Sequence, residues 1–381
     1  MALIDMNDML AHAYQHGYAV GVFTVGDMES LHAVMEAAEA SRAPVVLTPE
    51  ATDGSRLEMV LPAMEVAGHR ARVPVAIQVA VPGDPEAAAH AIRLGANGLL
   101  IRCGGDGFPE TVQQAQGVAD TARACGLAAE AEPDPGTVTT PAEVRRFAEK
   151  AGIDGLRLAP GKPDDSSGKG RADPNRIKRI HKALEAPLSL DIEGGLSEDQ
   201  YPRLIRHGVA AFRFGAPPSP TATEAERAMR VWGAAGRAAE VLAQCTPWDN
   251  AEQLLLCNLA EVPEAEVEEA LARGERILRR MPGVREAVGI RATSPDAPYR
   301  CAWRVRLCHP SALSGFQDHP DRAAFANGNV HPAVEGCTGI QFRRPHAGDG
   351  PPADPPGPPG PRGPSAALGP APEPGAWKRL A

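Results

Sequence analysis

The chain has 381 residues, with Lys+Arg 39 against Asp+Glu 48 and a formal net charge of −9. That length exceeds one ordinary domain of about 150 residues, and the acidic balance excludes a nucleic-acid surface, which relies on clustered cations. The apolar fraction of 43% suffices for a sizeable core, and the 7 cysteines never fall in a close CxxC pair, which predicts buried thiols in a reducing compartment.

The opening MALIDMNDMLAHAYQHG forms a helix over 6–15 and has acids where a signal peptide would have a basic flank. Strands are then predicted over 18–25, 44–48, 73–79, 98–102, 127–132, 154–159, 187–193 and 209–214. Helices follow them over 28–42, 56–70, 85–94, 110–125, 141–151, 174–184, 198–207 and 222–243. Short apolar strands alternating with amphipathic helices imply a parallel sheet buried on both faces, and this number of units implies an α/β fold, a TIM (βα)8 barrel over 1–244. The third strand, in RVPVAIQVAVPGDPE, ends where such a barrel keeps its chemistry, yet Ala80 and Val81 stand there.

The helical repeat then stops. A strand over 251–262, a helix over 263–283 and strands over 284–292 and 299–308 follow, with a short helical region at 319–325 and a last strand over 337–343. In the strand over 299–308, Cys301, Trp303, Val305 and Leu307 alternate with Arg300, Arg304 and Arg306, as a one-sided antiparallel sheet requires. This predicts a ferredoxin-like α+β domain over 250–345. From 346 to 381 the Pro/Gly-rich run holds no glycine period and is expected to be a disordered tail. No stretch is apolar and long enough to span a bilayer, so a cytoplasmic protein with no membrane and no nucleic-acid partner is expected.

Several polar residues fall at or just after strand ends, where barrel enzymes place catalytic groups. Glu130 and Glu132 end the fifth strand, Lys162 and Asp164 follow the sixth, and Asp191 and Glu193 close the seventh. Glu132, Asp191 and Glu193 are candidate catalytic acids and bases, with Lys162 as an electrostatic clamp or an amine nucleophile. An oxygen-rich Mg²⁺ site from Glu132, Asp164 and Asp191 is an alternative. The plain reading of Lys162 and Asp164, inside GKPDDSSGKG, is solvated loop charge. Gly194, Gly195 and Ser197 precede a helix, where backbone N–H groups hold phosphate, although a tight turn alone explains the glycines. Cys103 is a nucleophile or, more plainly, a packed thiol. His319 is catalytic or simply opens a helix before its proline.

Residues 1–242 resemble the class II (ketose-bisphosphate) aldolase family. The likeness rests on MALIDMNDML, on GYAVGVFTVGDMESLHAVMEAAEASRAPVVL, and on the later AAEAE, GIDGLRLA and PLSLDIEGGLSED. It implies a TIM barrel, often dimeric, that binds a phosphorylated ketose and uses zinc to stabilise an enediolate. Where the family has an Asp–His pair after its third core strand, this chain has Ala80 and Val81. The family's two other ligand histidines align with Asp164 and Asp191, and an Asn of its first strand with Thr24. With no imidazole at any of these positions, no catalytic zinc, no cofactor and no ordinary fructose-bisphosphate cleavage are expected.

Residues 252–343 resemble the stress-responsive α/β barrel (Dabb) family, through the strand order, PGV at 282–284 and the HP…AF box at 319–325. That likeness implies a homodimer that pairs its sheets. In members that cyclise polyketides a second His follows the His-Pro pair by one residue, where this chain has Arg322. The expected function is therefore a diverged, zinc-independent carbon–carbon lyase or condensing enzyme of specialised metabolism, acting as a homodimer on a small phosphorylated or carbonyl substrate. The alternatives are an inactive barrel scaffold dimerised through its second domain, and chemistry in a second-domain pocket bordered by His319 and Trp303.

Overall fold

Eight strands pair in chain order: β1 (Val20–Val25), β2 (Val45–Pro49), β3 (Val75–Pro82), β4 (Gly98–Arg102), β5 (Ala128–Glu132), β6 (Gly155–Leu158), β7 (Leu188–Asp191) and β8 (Val209–Arg213). The last returns to the first, with Gly21 opposite Phe212 and Val22 opposite Arg213, so the parallel sheet closes into a barrel. Apolar strands of this kind persist only when covered on both faces, and β1, β2, β4 and β8 are buried almost throughout. The computed structural model describes residues 3–50, 54–104, 107–133, 140–158, 174–184, 186–191, 196–214, 222–258, 262–294, 297–325 and 335–343.

Helix α1 (Met6–Gln15) packs against the start of the barrel, where Leu3 bridges Val75 at the head of β3. The outer ring is α2 (Met28–Ser41), α3 (Gly54–Arg70), α4 (Pro85–Leu94), α5 (Phe108–Ala124), α6 (Pro141–Ala151), α7 (Pro174–Leu184), α8 (Gln200–Ile205), α9 (Ala222–Val231) and α10 (Ala238–Gln244). Side-chain capping fixes several starts: Asp27 with Ser30 at α2, and Thr140 with Glu143 at α6, each form a reciprocal capping box. The single helix expected over 222–243 is in fact two. Gly233 and Gly236 adopt φ of +70° and +83°, left-handed values that end a helix, and the Gly236 N–H bonds back to Arg42 O.

Strand β3 runs further than its apolar run suggested. Ala80 and Val81 pair with Leu100 and Ile101 inside the ladder, and the strand ends at Pro82.

The second sheet comprises β9 (Ala251–Asn258), β10 (Val284–Arg291), β11 (Cys301–Leu307) and β12 (Glu335–Arg343). Its order is β10-β11-β9-β12, antiparallel throughout, which is the split βαβ arrangement of a ferredoxin-like domain. Strand β9 stops at Asn258, short of the expected 262. Helix α11 (Glu264–Leu278) covers one face, joined by α12 (Ala312–Asp318) and α13 (Pro320–Ala324). Trp303 is fully buried there, its Nε1 donating to Leu271 O at 3.0 Å and its ring edge-on to Phe325. Barrel and sheet have separate apolar cores within one compact unit, Met1–Arg343. The expected tail over 346–381 lies outside the described residues. Among those residues no helix is long and apolar enough to cross a membrane.

Candidate active site at the barrel mouth

Alternate residues of a strand share a face, so each inward side chain of a barrel strand has its next inward neighbour two residues on. In β5 that places Glu130 in a lower layer and Glu132 above it. The ladder sets Glu130 opposite Leu100 and Gly155, and Glu132 opposite Arg102. Gly155 leaves room for the lower carboxylate: a Cβ there would lie 3.1 Å from Glu130 Cγ.

The lower layer is a closed polar network. Gln78 Nε2 donates to Glu130 Oε2 at 2.5 Å, and Ser189 Oγ donates to Glu130 Oε1 at 2.6 Å. Arg213 Nη1 donates to Gln78 Oε1 and stands 3.7 Å from Glu130 Oε2. None of the four is more than 5% exposed. A carboxyl group buried this deeply is tolerable because two donors and a guanidinium compensate it.

Above this layer the mouth is rich in guanidinium groups. Glu132 Oε2 accepts from Arg157 Nη1 at 2.9 Å and lies 3.9 Å from Arg102 Nε. Arg157 is 13% exposed and Glu132 26%, so the pair is half-sheltered beneath the rim. Asp191 ends β7 directly opposite Arg213 in the ladder and is described in its backbone alone. Arginines thus come from β4, β6 and β8, with carboxylates from β5 between them. Such a set binds an anion or stabilises developing negative charge while offering a carboxylate to take a proton.

Of the residues singled out from the sequence, Glu130 and Glu132 stand in these layers. Ser197 spends both its N–H and its Oγ on Gln200 Oε1, each at 2.9 Å, so a phosphate there must displace Gln200. Lys162, Asp164, Glu193, Gly194 and Gly195 lie outside the described residues. Thr24 donates its hydroxyl to Phe214 O at 3.2 Å, tying β1 to the end of β8. Ala80 shares the face of Gln78, and Val81 the opposite, helix-facing one; both are buried. Cys103 is a packed thiol pushed by burial up to about 12. His319 accepts the Asp321 N–H at 3.2 Å and so starts α13. Gln78, Arg102, Arg157, Ser189 and Arg213 escaped the sequence reading. For Gln78, Arg157 and Arg213 the signal was there: each is a lone polar residue inside an apolar segment, VAIQVAV, GLRLA or VAAFRF.

No group of three His, Cys, Asp or Glu side chains among the described residues is arranged to hold a metal ion. The side chains of Ala80 and Val81 carry no atom that could ligate one.

The family model for "Fructose-bisphosphate aldolase class-II" matches residues 4–216. Among curated proteins, a fructose-bisphosphate aldolase of Thermus caldophilus is 32% identical over 206 residues, 49% of this chain and 68% of that protein. A sulfofructosephosphate aldolase of Alkalicoccus urumqiensis is 26% identical over 230 residues, covering 55% of this chain and 79% of that one. Among solved structures, the YdjI aldolase of Escherichia coli K12 shares the fold with a TM-score of 0.54 at 23% identity, over 62% of this chain and 99% of that one.

Proposed function

Since this chain belongs to the class-II fructose-bisphosphate aldolase family, we propose that it is a diverged member, a carbon–carbon lyase or condensing enzyme that works without zinc on a small carbonyl substrate. One observation carries the reading: three arginines, Arg102, Arg157 and Arg213, and two carboxylates, Glu130 and Glu132, occupy two stacked layers on the inner face of the barrel. The apolar side chains of Ala80 and Val81 support a mechanism without the family's ion, because the resemblance places a catalytic acid/base at the first of these positions and a zinc ligand at the second. In cleavage, Glu132 accepts the proton of a β-hydroxyl as the carbon–carbon bond breaks. The bonding electrons then pass into an enolate beside the guanidinium groups, and the enolate is later protonated.

Asp191 and Glu193 are assigned as further acid–base groups of this mouth, and Lys162 as a clamp or amine nucleophile. Gly194, Gly195 and Ser197 are assigned to a substrate phosphate, in keeping with the phosphorylated sugars in the relatives' names. The test is a retro-aldol assay on a panel of phosphorylated and unphosphorylated β-hydroxycarbonyl compounds, with chelator present throughout. Turnover that survives chelation and falls at least about 100-fold in Glu132→Gln and Arg157→Met is expected. Borohydride trapping distinguishes the Lys162 amine route, which requires a covalent adduct. Turnover that needs added zinc overturns the reading.

A second reading, an inactive scaffold dimerised by its C-terminal sheet, draws on the uncovered sheet face. Leu254 and Leu256 are half-buried there, beside exposed Ile290 and Ile340. The likeness to the Dabb family supports the homodimer in either reading. Absence of turnover and of any ligand-induced stabilisation across the panel would favour the scaffold. Chemistry in a pocket between His319 and Trp303 is not supported, because Trp303 is packed into the core against Leu271 and Phe325.

A further inference from the structure

Where the barrel meets the C-terminal sheet, two cysteines 183 residues apart in the sequence come together. Cys125 caps the end of α5 and Cys308 follows β11; they are 0% and 1% exposed, and both thiols are free. Cys308 Sγ donates to Cys125 O at 3.8 Å. Gly283 borders the same small space: a Cβ there would sit 3.3 Å from Cys125 Sγ and 3.6 Å from Cys308 Sγ. The Cys308 N–H is anchored to Gly283 O at 2.8 Å, so the pair is held by backbone as well as by packing.

We propose that Cys125 and Cys308 are a latent dithiol that closes to a disulfide on oxidation, covalently joining the barrel to the C-terminal sheet. The oxidant is a small-molecule disulfide. One cysteine attacks it and releases one thiol; the second then attacks the mixed disulfide, forming the Cys125–Cys308 bond and releasing the other thiol. Two protein thiols are oxidised, one disulfide is reduced, and the two protons leave on the two released thiols. The neighbouring Cys308 thiol, together with burial, holds Cys125 far above the ordinary thiol range. Attack requires the thiolate, so the bond forms only when this junction opens and persists when it recloses. The loop closed spans 183 residues of sequence separation, long enough for a large constraint on the unfolded chain.

The full chain, reduced and then incubated with oxidised glutathione, tests this directly. The expected result is loss of two free thiols, a peptide linking Cys125 to Cys308, and an unfolding midpoint raised by at least about 5 °C. Dithiothreitol should reverse all three, and Cys125→Ala and Cys308→Ser should each lack them. Peptide mapping of the unmodified chain stands even if a variant fails to fold. The proposal is overturned if both cysteines remain alkylatable, if either stops at a glutathione mixed disulfide, or if Cys257 and Cys301, opposed across β9 and β11, link instead.

Discussion

Arg285, at the start of β10, grips Glu65 of α3 through two parallel bonds, Nη1 to Oε1 at 2.6 Å and Nη2 to Oε2 at 2.7 Å. The same guanidinium reaches Arg93 O and Asn250 Oδ1, so one side chain ties the C-terminal sheet to two barrel helices. Burial raises the Glu65 pKa, but hydrogen bonds from Arg285 and His69 outweigh it and hold the carboxyl well below its ordinary value of 4.5. A depressed carboxyl contributes stability that is present above the unfolded value and is lost as pH falls below it. Glu65→Gln should therefore cost about 2–3 kcal/mol at neutral pH. The difference from the parent chain should shrink as pH drops below 4.5, and unfolding curves between neutrality and acid decide it. A difference that stays constant with pH refutes the clamp.

Asp5 behaves in the opposite sense. It caps α1 by accepting from the Asn7 N–H at 2.7 Å, yet burial and the nearby Asp8 raise its pKa from 3.8 to about 6. A raised carboxyl stabilises most below its unfolded value, and that stability is lost as pH rises through the folded one. Asp5→Asn keeps a capping oxygen and should remove a decline in stability between pH 3.8 and about 6. Thermal melts of the two chains across that range give the answer; parallel pH profiles would refute it.

The lower polar layer of the barrel should be strongly non-additive. Removing either partner strands a buried charge, so Glu130→Gln and Arg213→Met should each cost about 3–5 kcal/mol. Removing both should cost clearly less than the sum, because no charge is left unpaired. Urea denaturation of the two single variants and the double variant closes the cycle. Strict additivity would mean that the four side chains do not act as one network.

Gly274, in the middle of α11, should reject alanine although alanine favours helices by about 1 kcal/mol. Its Cβ would lie 2.5 Å from Trp303 Cε2, and that ring is locked by Leu271 and Phe325. Gly274→Ala should lower stability by about 1–3 kcal/mol. A gain measured by thermal unfolding would show that the Trp303 packing is loose.

The open face of the C-terminal sheet carries rows that cross all four strands. One row aligns Ile290, Ala302, Leu256 and Thr338; the next aligns Val288, Arg304, Leu254 and Ile340. If two copies pair here, Leu254→Glu combined with Ile340→Asp should convert a dimer to a monomer without unfolding it. Sedimentation together with circular dichroism checks this, and a dimer that persists in the variant places the interface elsewhere.

The alternation of apolar strands with amphipathic helices determined the barrel, because a strand buried on both faces must be apolar along its length. The one-sided alternation of Cys301, Trp303, Val305 and Leu307 likewise determined the half-covered sheet. Ala80 and Val81 were legible near the end of β3, since the identity of a residue needs no coordinates. What the sequence left undecided was which strands stand opposite one another at each level. Only closure of β8 onto β1 brings Arg213 to Gln78 and Glu130, and only the pairing of β5 with β4 and β6 brings Arg102 and Arg157 to Glu132. Those partners come from separate strands far apart in the chain, so their meeting depends on register and shear, which no local pattern encodes. The same holds for Cys125 with Cys308 and Glu65 with Arg285, which become neighbours through the docking of two cores.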